Sequence, residues 1–336
     1  MSSAISASAR QELLAHAKTV MQQLRARLTF AVRGRDEVID LILIALLADG
    51  HVLLEDHPGS GKTTLAKALG ESIEDKNHAE FIEPFRRVQF TPDLLPSDVT
   101  GVSVFDPESQ QFHFRPGPIF AHVLLADEIN RTSPKVQSAL LEAMAEKQVT
   151  VDNHTYRLDE LFFVIATQNP RDQVGTYPLP VAQLDRFLFK IRMDYIEQSA
   201  ERDVLRSYRD RRSAVPTNAP RVTRDALVEA RRIIDEHVYI DPRLSDSLVE
   251  VATALRKSAE VVQGVSTRSL VLLLPALQAL AFMKGRDFVI PEDVNTLAPH
   301  VFGHRLELAP GVEDVHDVVK RCLKGPMESL ARSTMK

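Results

Sequence analysis

The chain has a single cysteine, Cys322, in 336 residues. This excludes an internal disulfide and any metal site built from several thiolates, and it fits a reducing compartment. There is no excess of positive charge. Lys and Arg number 41 against 46 Asp and Glu, a net charge of −5, so no global field draws the chain to nucleic acid or to an anionic membrane surface. Long hydrophobic runs are also missing. The longest, "LILIALLA" from Leu41 to Ala48, falls far short of the ~20 residues that span a bilayer. The opening "MSSAISASARQELLAHAKTV" lacks a basic segment followed by an apolar one, so it does not read as a secretion signal. These absences predict a soluble, cytoplasmic protein with no membrane insertion and no nucleic-acid partner. Two hydrolytic chemistries are excluded as well, because there is neither a serine nucleophile elbow nor a cysteine with a partner histidine.

What is present is the composition of an ordinary globular protein, 44% hydrophobic and 26% charged, long enough for two domains. Residues 10–30 read as a helix with Leu13, Leu14, Ala17, Val20, Met21, Leu24 and Leu28 on one face, and Glu37 to Leu47 as a second, apolar helix. Short apolar runs then alternate with helical patterns. "HVLLE", "FRRVQF", "HVLLADE", "LFFVIATQ" and "RFLFKIRM" are strand-like, whereas "GKTTLAKALGESI" and "SPKVQSALLEAMAEK" are helix-like. The alternation predicts an α/β core, a mostly parallel five-stranded sheet with helices on both faces. Beyond Tyr195 nearly every segment reads helical, with only "FVI" before Pro291 extended. The expected organisation is an N-terminal helix over 1–30, a core over 31–196 and an all-α domain over 197–336. Hairpins are expected at 101–120, around "DPESQ", and at 147–162, around "DNHT".

The stretch "HVLLEDHPGSGKTTLAKAL" carries the chemistry. A glycine-rich turn between a buried strand and a helix turns several backbone N–H groups toward one concavity, which suits phosphate oxygens. Pro58, Gly59, Ser60 and Gly61 make the turn, Lys62 can reach β- and γ-phosphates, and Thr63 suits Mg²⁺, with Thr64 beside it. Asp56 stands where the general motif has its first glycine, outside the inner turn. "HVLLADE" supplies a second motif, an apolar strand ending in two carboxylates. Asp127 would hold Mg²⁺ through its water shell, and Glu128 would orient and deprotonate an attacking water. His300 and His304 have a metal-ligand spacing, but no third ligand accompanies them, and they are set aside as structural.

With these residues in place, the chain resembles the MoxR family of AAA+ ATPases, in the clade with an insert in helix 2. The likeness extends from about residue 30 to 305. It is carried by "LLEDHPGSGKT", whose acidic residue at the first glycine position is common in that family, and by "QFTPDLLPSDVTG", "DEINRTSPKVQSALLEAMAEKQVTV", "ATQNP", "YPLPVAQLDRF" and "GVSTRS". The resemblance implies an AAA+ P-loop core with a helical lid, and ATP and Mg²⁺ as cofactors. Asn169 is implied as sensor 1, Arg186 as an arginine finger given to the neighbouring subunit's ATP, and Arg268 as a sensor 2 arginine reaching from the lid to the γ-phosphate. Gly34 in "AVRGRDE" lies in the implied adenine-side segment, and Arg131 is a candidate for contact across a subunit interface. The 101–120 hairpin would face the pore of a ring, where Phe105, Phe112 and Phe114 either contact a client or pack the hairpin. The implied assembly is a homo-oligomeric ring, taken as a hexamer. The implied work is chaperone-like remodelling of a protein client with a separate von Willebrand factor A domain protein. Three rivals remain: a magnesium-chelatase-like motor subunit, a DNA translocase, and an ATP-dependent assembly switch with little turnover.

Overall fold

The computed structural model describes residues 7–56, 59–75, 81–169, 175–207 and 220–334. Two helices come first, α1 (Ala7–Ala31) and α2 (Asp36–Leu47), then β1 (Val52–Asp56), α3 (Lys62–Glu71), β2 (Ile73–Glu74), β3 (Glu83–Gln89) and α4 (Pro96–Thr100). The hairpin β4 (Gly101–Asp106) and β5 (Gln111–Pro116) precedes β6 (Ala121–Asp127), a 3₁₀ turn (Ile129–Arg131) and α5 (Pro134–Glu146). A second hairpin, β7 (Gln148–Val151) and β8 (His154–Arg157), leads to β9 (Phe163–Gln168), α6 (Val181–Leu184) and β10 (Phe189–Met193). The remainder contains α7 (Gln198–Arg206), β11 (Val222–Thr223), α8 (Arg224–His237), α9 (Pro242–Lys257), β12 (Val261–Gln263), α10 (Thr267–Met283), α11 (Pro291–Phe302), a 3₁₀ turn (Gly303–Arg305), β13 (Glu307–Leu308) and α12 (Val315–Thr334).

Five strands form one sheet in the order β10-β1-β9-β6-β3, and every pairing is parallel. Such a sheet is covered on both faces, which is why its inner strands β1, β9 and β6 read as apolar runs rather than as alternating ones, whereas the edge strand β3 keeps Arg86, Arg87 and Gln89 exposed. The alternation is there, but both faces are buried. Val52, Leu54, Val123, Leu125 and Ile165 join the core on one side, and Leu53, Leu124, Val164 and Ala166 join the core on the other. The first core continues without interruption through α1, α2 and α3 into the helical half, as far as Val318 and Leu330. The apolar stripe of α1 lies in this core, with Ala17, Leu24 and Leu28 fully buried.

The helical half is less purely helical than its sequence predicts. β11 pairs in parallel with β2, β12 pairs antiparallel with β13, and Tyr239 bridges Phe288. These strands are two or three residues long. Their partners are remote in sequence, so no local pattern announces them. Both predicted hairpins are present. Asp152 and Asn153 both adopt positive φ in the tight turn of the second, as a two-residue type I′ connection requires. The phenylalanines of the first hairpin divide. Phe114 stacks on Tyr156 at 3.8 Å between ring centres, while Phe105 and Phe112 pair with each other at the exposed tip.

Candidate active site

β1 ends at Asp56, and the chain enters α3 at Lys62 through a turn in which Gly59 (φ +89°) and Gly61 (φ +95°) are left-handed. Among the described residues nothing lies within 4 Å of where a Gly59 Cβ would stand, so the turn faces an open concavity. The first N–H groups of α3 have no intrahelical partner and can bond an anion seated there. Pro58 lies outside the described residues. A cavity of about 590 Å³ opens from the turn. Gly59, Ser60, Gly61 and Thr64 form its floor, residues 31–33 and Arg35 one wall, and residues 193–196 with Glu201, Val204 and Leu205 of α7 the other. Gly34 itself does not line it. A Cβ there would sit 2.6 Å from the Cβ of Ala200, so this glycine lets the 33–35 turn close onto α7. It shapes the cavity from behind, between the lining residues Arg33 and Arg35.

The two carboxylates at the end of β6 are organised differently from each other. Asp127 is 3% exposed. Its Oδ1 accepts the Thr167 hydroxyl at 2.7 Å, its Oδ2 accepts Arg87 Nη2 at 2.7 Å, and Lys62 Nζ lies 3.6 Å from Oδ1. Burial by itself pushes this carboxyl up. The bonds from Thr167 and Arg87 and the charges of Lys62 and Arg87 outweigh it and hold the pKa below its ordinary value. Glu128 has φ +59°, a left-handed conformation that turns the chain off the strand and into the 3₁₀ turn. Its N–H donates to Thr167 Oγ1 at 2.9 Å, and its Oε2 accepts Gln89 Nε2 at 2.6 Å. Arg131 Nε stands 3.2 Å from the same oxygen. Arg131, a candidate for contact with a neighbour, is thus engaged within its own subunit. Thr63 lies in the first turn of α3, and the pKa of Asp127 is held low. These are hard oxygen donors beside a phosphate turn, the kind of set Mg²⁺ takes while keeping most of its waters.

Asn169 follows the last residue of β9. Gln168 is in register with Glu55, which places Asn169 level with Asp56, at the sheet end where the phosphate turn begins. Arg186 and Arg268 are elsewhere. Leu188 N–H donates to His51 O, at the entrance to β1. Five parallel residues rise ~16 Å, so the 185–188 turn lies at the opposite end of the sheet from its own phosphate turn. Arg186 Nη1 donates to Leu141 O at 3.3 Å. Arg268, in the first turn of α10, does not line the cavity, and its Nε lies 3.7 Å from Asp185 Oδ2. Arg268 is expected to reach a γ-phosphate from the lid; within its own chain it stands beside Asp185, the residue before Arg186. The physical reason is the docking of the helical half. The His304-Arg305 turn clamps residues 185–188, with His304 Nε2 2.9 Å from Phe187 O and Arg305 Nε 2.6 Å from Asp185 Oδ1. His300 instead packs its ring near Phe189 and His316, so the two histidines do not converge. No cluster that could hold a metal through three His, Cys, Asp or Glu residues occurs among the described residues.

Three site residues escaped the sequence reading, namely Thr167, Arg87 and Gln89. Thr167 stands two residues before Asn169 in "ATQNP", and Arg87 and Gln89 alternate along β3. Only the strand order places all three beside Asp127 and Glu128. No helix among the described residues is long and apolar enough to cross a membrane.

With this geometry established, comparison with known proteins is informative. Residues 51–189 match the ATPase family associated with various cellular activities (AAA), and residues 253–321 match the AAA lid domain. The chain is similar to the protein called Chaperone MoxR1 of Mycobacterium tuberculosis, 38% identical across 82% of this chain and 72% of the relative. It is also similar to Protein MoxR of Methylorubrum extorquens, 30% identical across 84% and 86%, and to the uncharacterised YeaC of Bacillus subtilis, 49% identical across 82% and 83%. A crystal structure of a candidate ATPase from Cytophaga hutchinsonii superposes with a TM-score of 0.82 at 34% identity, covering 94% of this chain and 96% of that one.

Proposed function

Since the chain belongs to the MoxR family of AAA+ ATPases, with an AAA core and a helical lid, we propose that it hydrolyses ATP at sites shared between subunits of a ring. The observation that carries this reading is the separation within one chain. Lys62, Asp127 and Glu128 stand at one end of the sheet, and Arg186 and Arg268 at the other. A complete phosphoryl-transfer site needs both sets, and a neighbouring subunit can bring them together.

In this mechanism the turn Gly59–Gly61 and the start of α3 hold phosphate oxygens, and Lys62 neutralises charge on the β- and γ-groups. Thr63 and Asp127 would hold Mg²⁺, which neutralises the charge that builds up between those phosphates. Glu128 takes the proton of the attacking water, and Asn169 orients that water or the γ-phosphate by a neutral amide bond. Arg186 and Arg268 of an adjoining copy match the charge spread over the transferring group. The output we propose is chaperone-like remodelling or maturation of a protein client in the cytoplasm, by a homohexamer working with a von Willebrand factor A domain protein.

The test is the ATP turnover rate per subunit as a function of protein concentration, with particle size followed in parallel. A rate that climbs with assembly and then saturates supports the shared site. A full rate from a verified monomer removes it. A low-turnover switch is the second reading, favoured by the engagement of Glu128 Oε2 by both Gln89 and Arg131. Ordinary turnover that disappears in Glu128→Gln would exclude it.

A further inference from the structure

We infer that Asp185 is a positioning residue that fixes Arg268 beside Arg186, so that both arginines are presented to a neighbouring subunit as one unit. The inference rests on the reading above, in which these arginines act on a second subunit's nucleotide.

The Asp185 carboxylate is divided between two arginines of very different exposure. Oδ1 accepts Arg305 Nε at 2.6 Å, and Oδ2 faces Arg268 Nε at 3.7 Å. Arg305 is 3% exposed and is a fixed anchor. Its Nη2 donates to the carbonyls of Asp185 and Phe187, at 3.1 and 2.7 Å, and its Nη1 to those of Leu188 and Val301. Displacing it would strip bonds from several buried carbonyls at once. Arg268 is the opposite case. Its side chain is 51% exposed and it sits in the first turn of α10, where the helix dipole disfavours a cation. Asp185 supplies the negative charge that holds it there.

The geometry has a chemical consequence. A half-exposed pair at 3.7 Å is weak, and a guanidinium exchanges one carboxylate oxygen readily for a phosphoryl group that offers more charge and a bidentate fit. Asp185 thus keeps Arg268 oriented without trapping it. Arg186 follows Asp185 directly in sequence on the same clamped turn, so the residue that holds the lid arginine is covalently joined to the finger arginine. Neither contact is available to the subunit's own phosphate turn, at the far end of the sheet.

The experiment uses the full-length protein. Asp185→Asn keeps the size and a bond acceptor for Arg305 but removes the charge. Turnover at saturating ATP should fall at least roughly tenfold while KM for ATP changes less than about twofold, the pattern of an interaction lost in the transition state. Adding Arg268→Ala to Asp185→Asn should slow turnover no further than Arg268→Ala alone. The readout that a general structural role would not move is complementation. Mixing Asp185→Asn subunits with Lys62→Ala subunits builds sites that pair an intact phosphate turn with intact arginines, and turnover should reappear in the mixture.

Normal turnover in Asp185→Asn, with Arg268→Ala impaired, overturns the role of Asp185 alone. An impaired Asp185→Asn that gains nothing from Lys62→Ala subunits also overturns it, because the defect then lies in the variant's own nucleotide site. Full turnover in both Arg186→Ala and Arg268→Ala would remove the shared-site reading, and this inference with it. Asp185→Glu retains the charge and covers the case in which the Asn variant does not fold. Turnover above about half of wild type supports the inference, and a loss as deep as that of Arg268→Ala overturns it.

Discussion

The Thr167 hydroxyl donates to Asp127 Oδ1 at 2.7 Å, and Thr167 Oγ1 itself accepts the Glu128 N–H at 2.9 Å. One side chain on β9 therefore anchors the Asp127 carboxylate and the backbone of Glu128 at the end of β6. Thr167→Val preserves the shape and removes both bonds. It should destabilise the fold by about 1–3 kcal/mol and slow turnover by roughly 10–100-fold, since the Asp127 carboxylate and the Glu128 backbone lose their common support. Urea unfolding together with steady-state kinetics checks this. An unchanged kcat would show that the carboxylates are held well enough without it.

Lys62→Ala should abolish ATP binding, because the turn loses the cation 3.6 Å from Asp127 and the remaining carboxylate then repels phosphate. Glu128→Gln should instead keep binding and lose turnover by ~10²–10⁴-fold, the usual worth of a general base. Binding of a fluorescent ATP analogue, measured beside hydrolysis, separates the two. Equal binding by wild type and Lys62→Ala would remove the phosphate assignment.

Arg186→Ala should leave ATP binding intact and reduce hydrolysis by about 10³–10⁵-fold. Arg186 lies on the turn bonded to the entrance of β1 through Leu188 and His51, away from its own phosphate turn, so the loss should be repaired by subunits that carry the arginine but lack Lys62. Hydrolysis retained in Arg186→Ala would sink the finger assignment.

Arg305→Ala should be among the most destabilising single changes. It removes a 3%-exposed guanidinium, the nearest cation to Asp185 and a donor to the carbonyls of Phe187 and Leu188. Breaking a buried ion pair from one side costs about 3–5 kcal/mol. Denaturant titration measures it, and a change below about 1 kcal/mol would mean that the lid clamp contributes little.

His51 should make stability depend on mild acid. Burial holds its pKa at about 4 against 6.5 in the unfolded chain, with its ring bonded to Met144 O and Val164 N–H. The unfolded chain therefore takes up a proton that the folded one refuses. The contribution is complete above pH ~6.5 and is lost as pH falls from there toward ~4, by roughly 3 kcal/mol in all. Melting temperature measured against pH in wild type and His51→Gln checks it, since the variant should lack this part of the slope.

Much of this protein was legible in its sequence because the signals are local. The phosphate turn joins β1 to α3 within a few residues, and Asp127 and Glu128 end a single apolar run. The strand-like runs sufficed for a parallel α/β core because a sheet covered on both faces leaves its inner strands little polar sequence. The helical half was legible from its periodicity, though not its two- and three-residue strands, which have no pattern of their own.

Tertiary structure decided the rest. Arg87 and Gln89 reach Asp127 and Glu128 because β3 pairs with β6, and Thr167 reaches both because β9 lies on the other side of β6. Sequence spacing does not encode that order. Gly34 was visible as a glycine near the cavity, yet only the approach of Ala200 shows what it allows. Arg268 was visible as an arginine at a helix start, a place that calls for an anion. Which anion it meets depends on how the lid docks, and the buried bonds of Arg305 fix that docking against Asp185. Chemistry carried by adjacent residues is set by the chain itself. Chemistry shared between remote residues is set by packing, because its distances exist only once the strands are ordered and the helical half is seated.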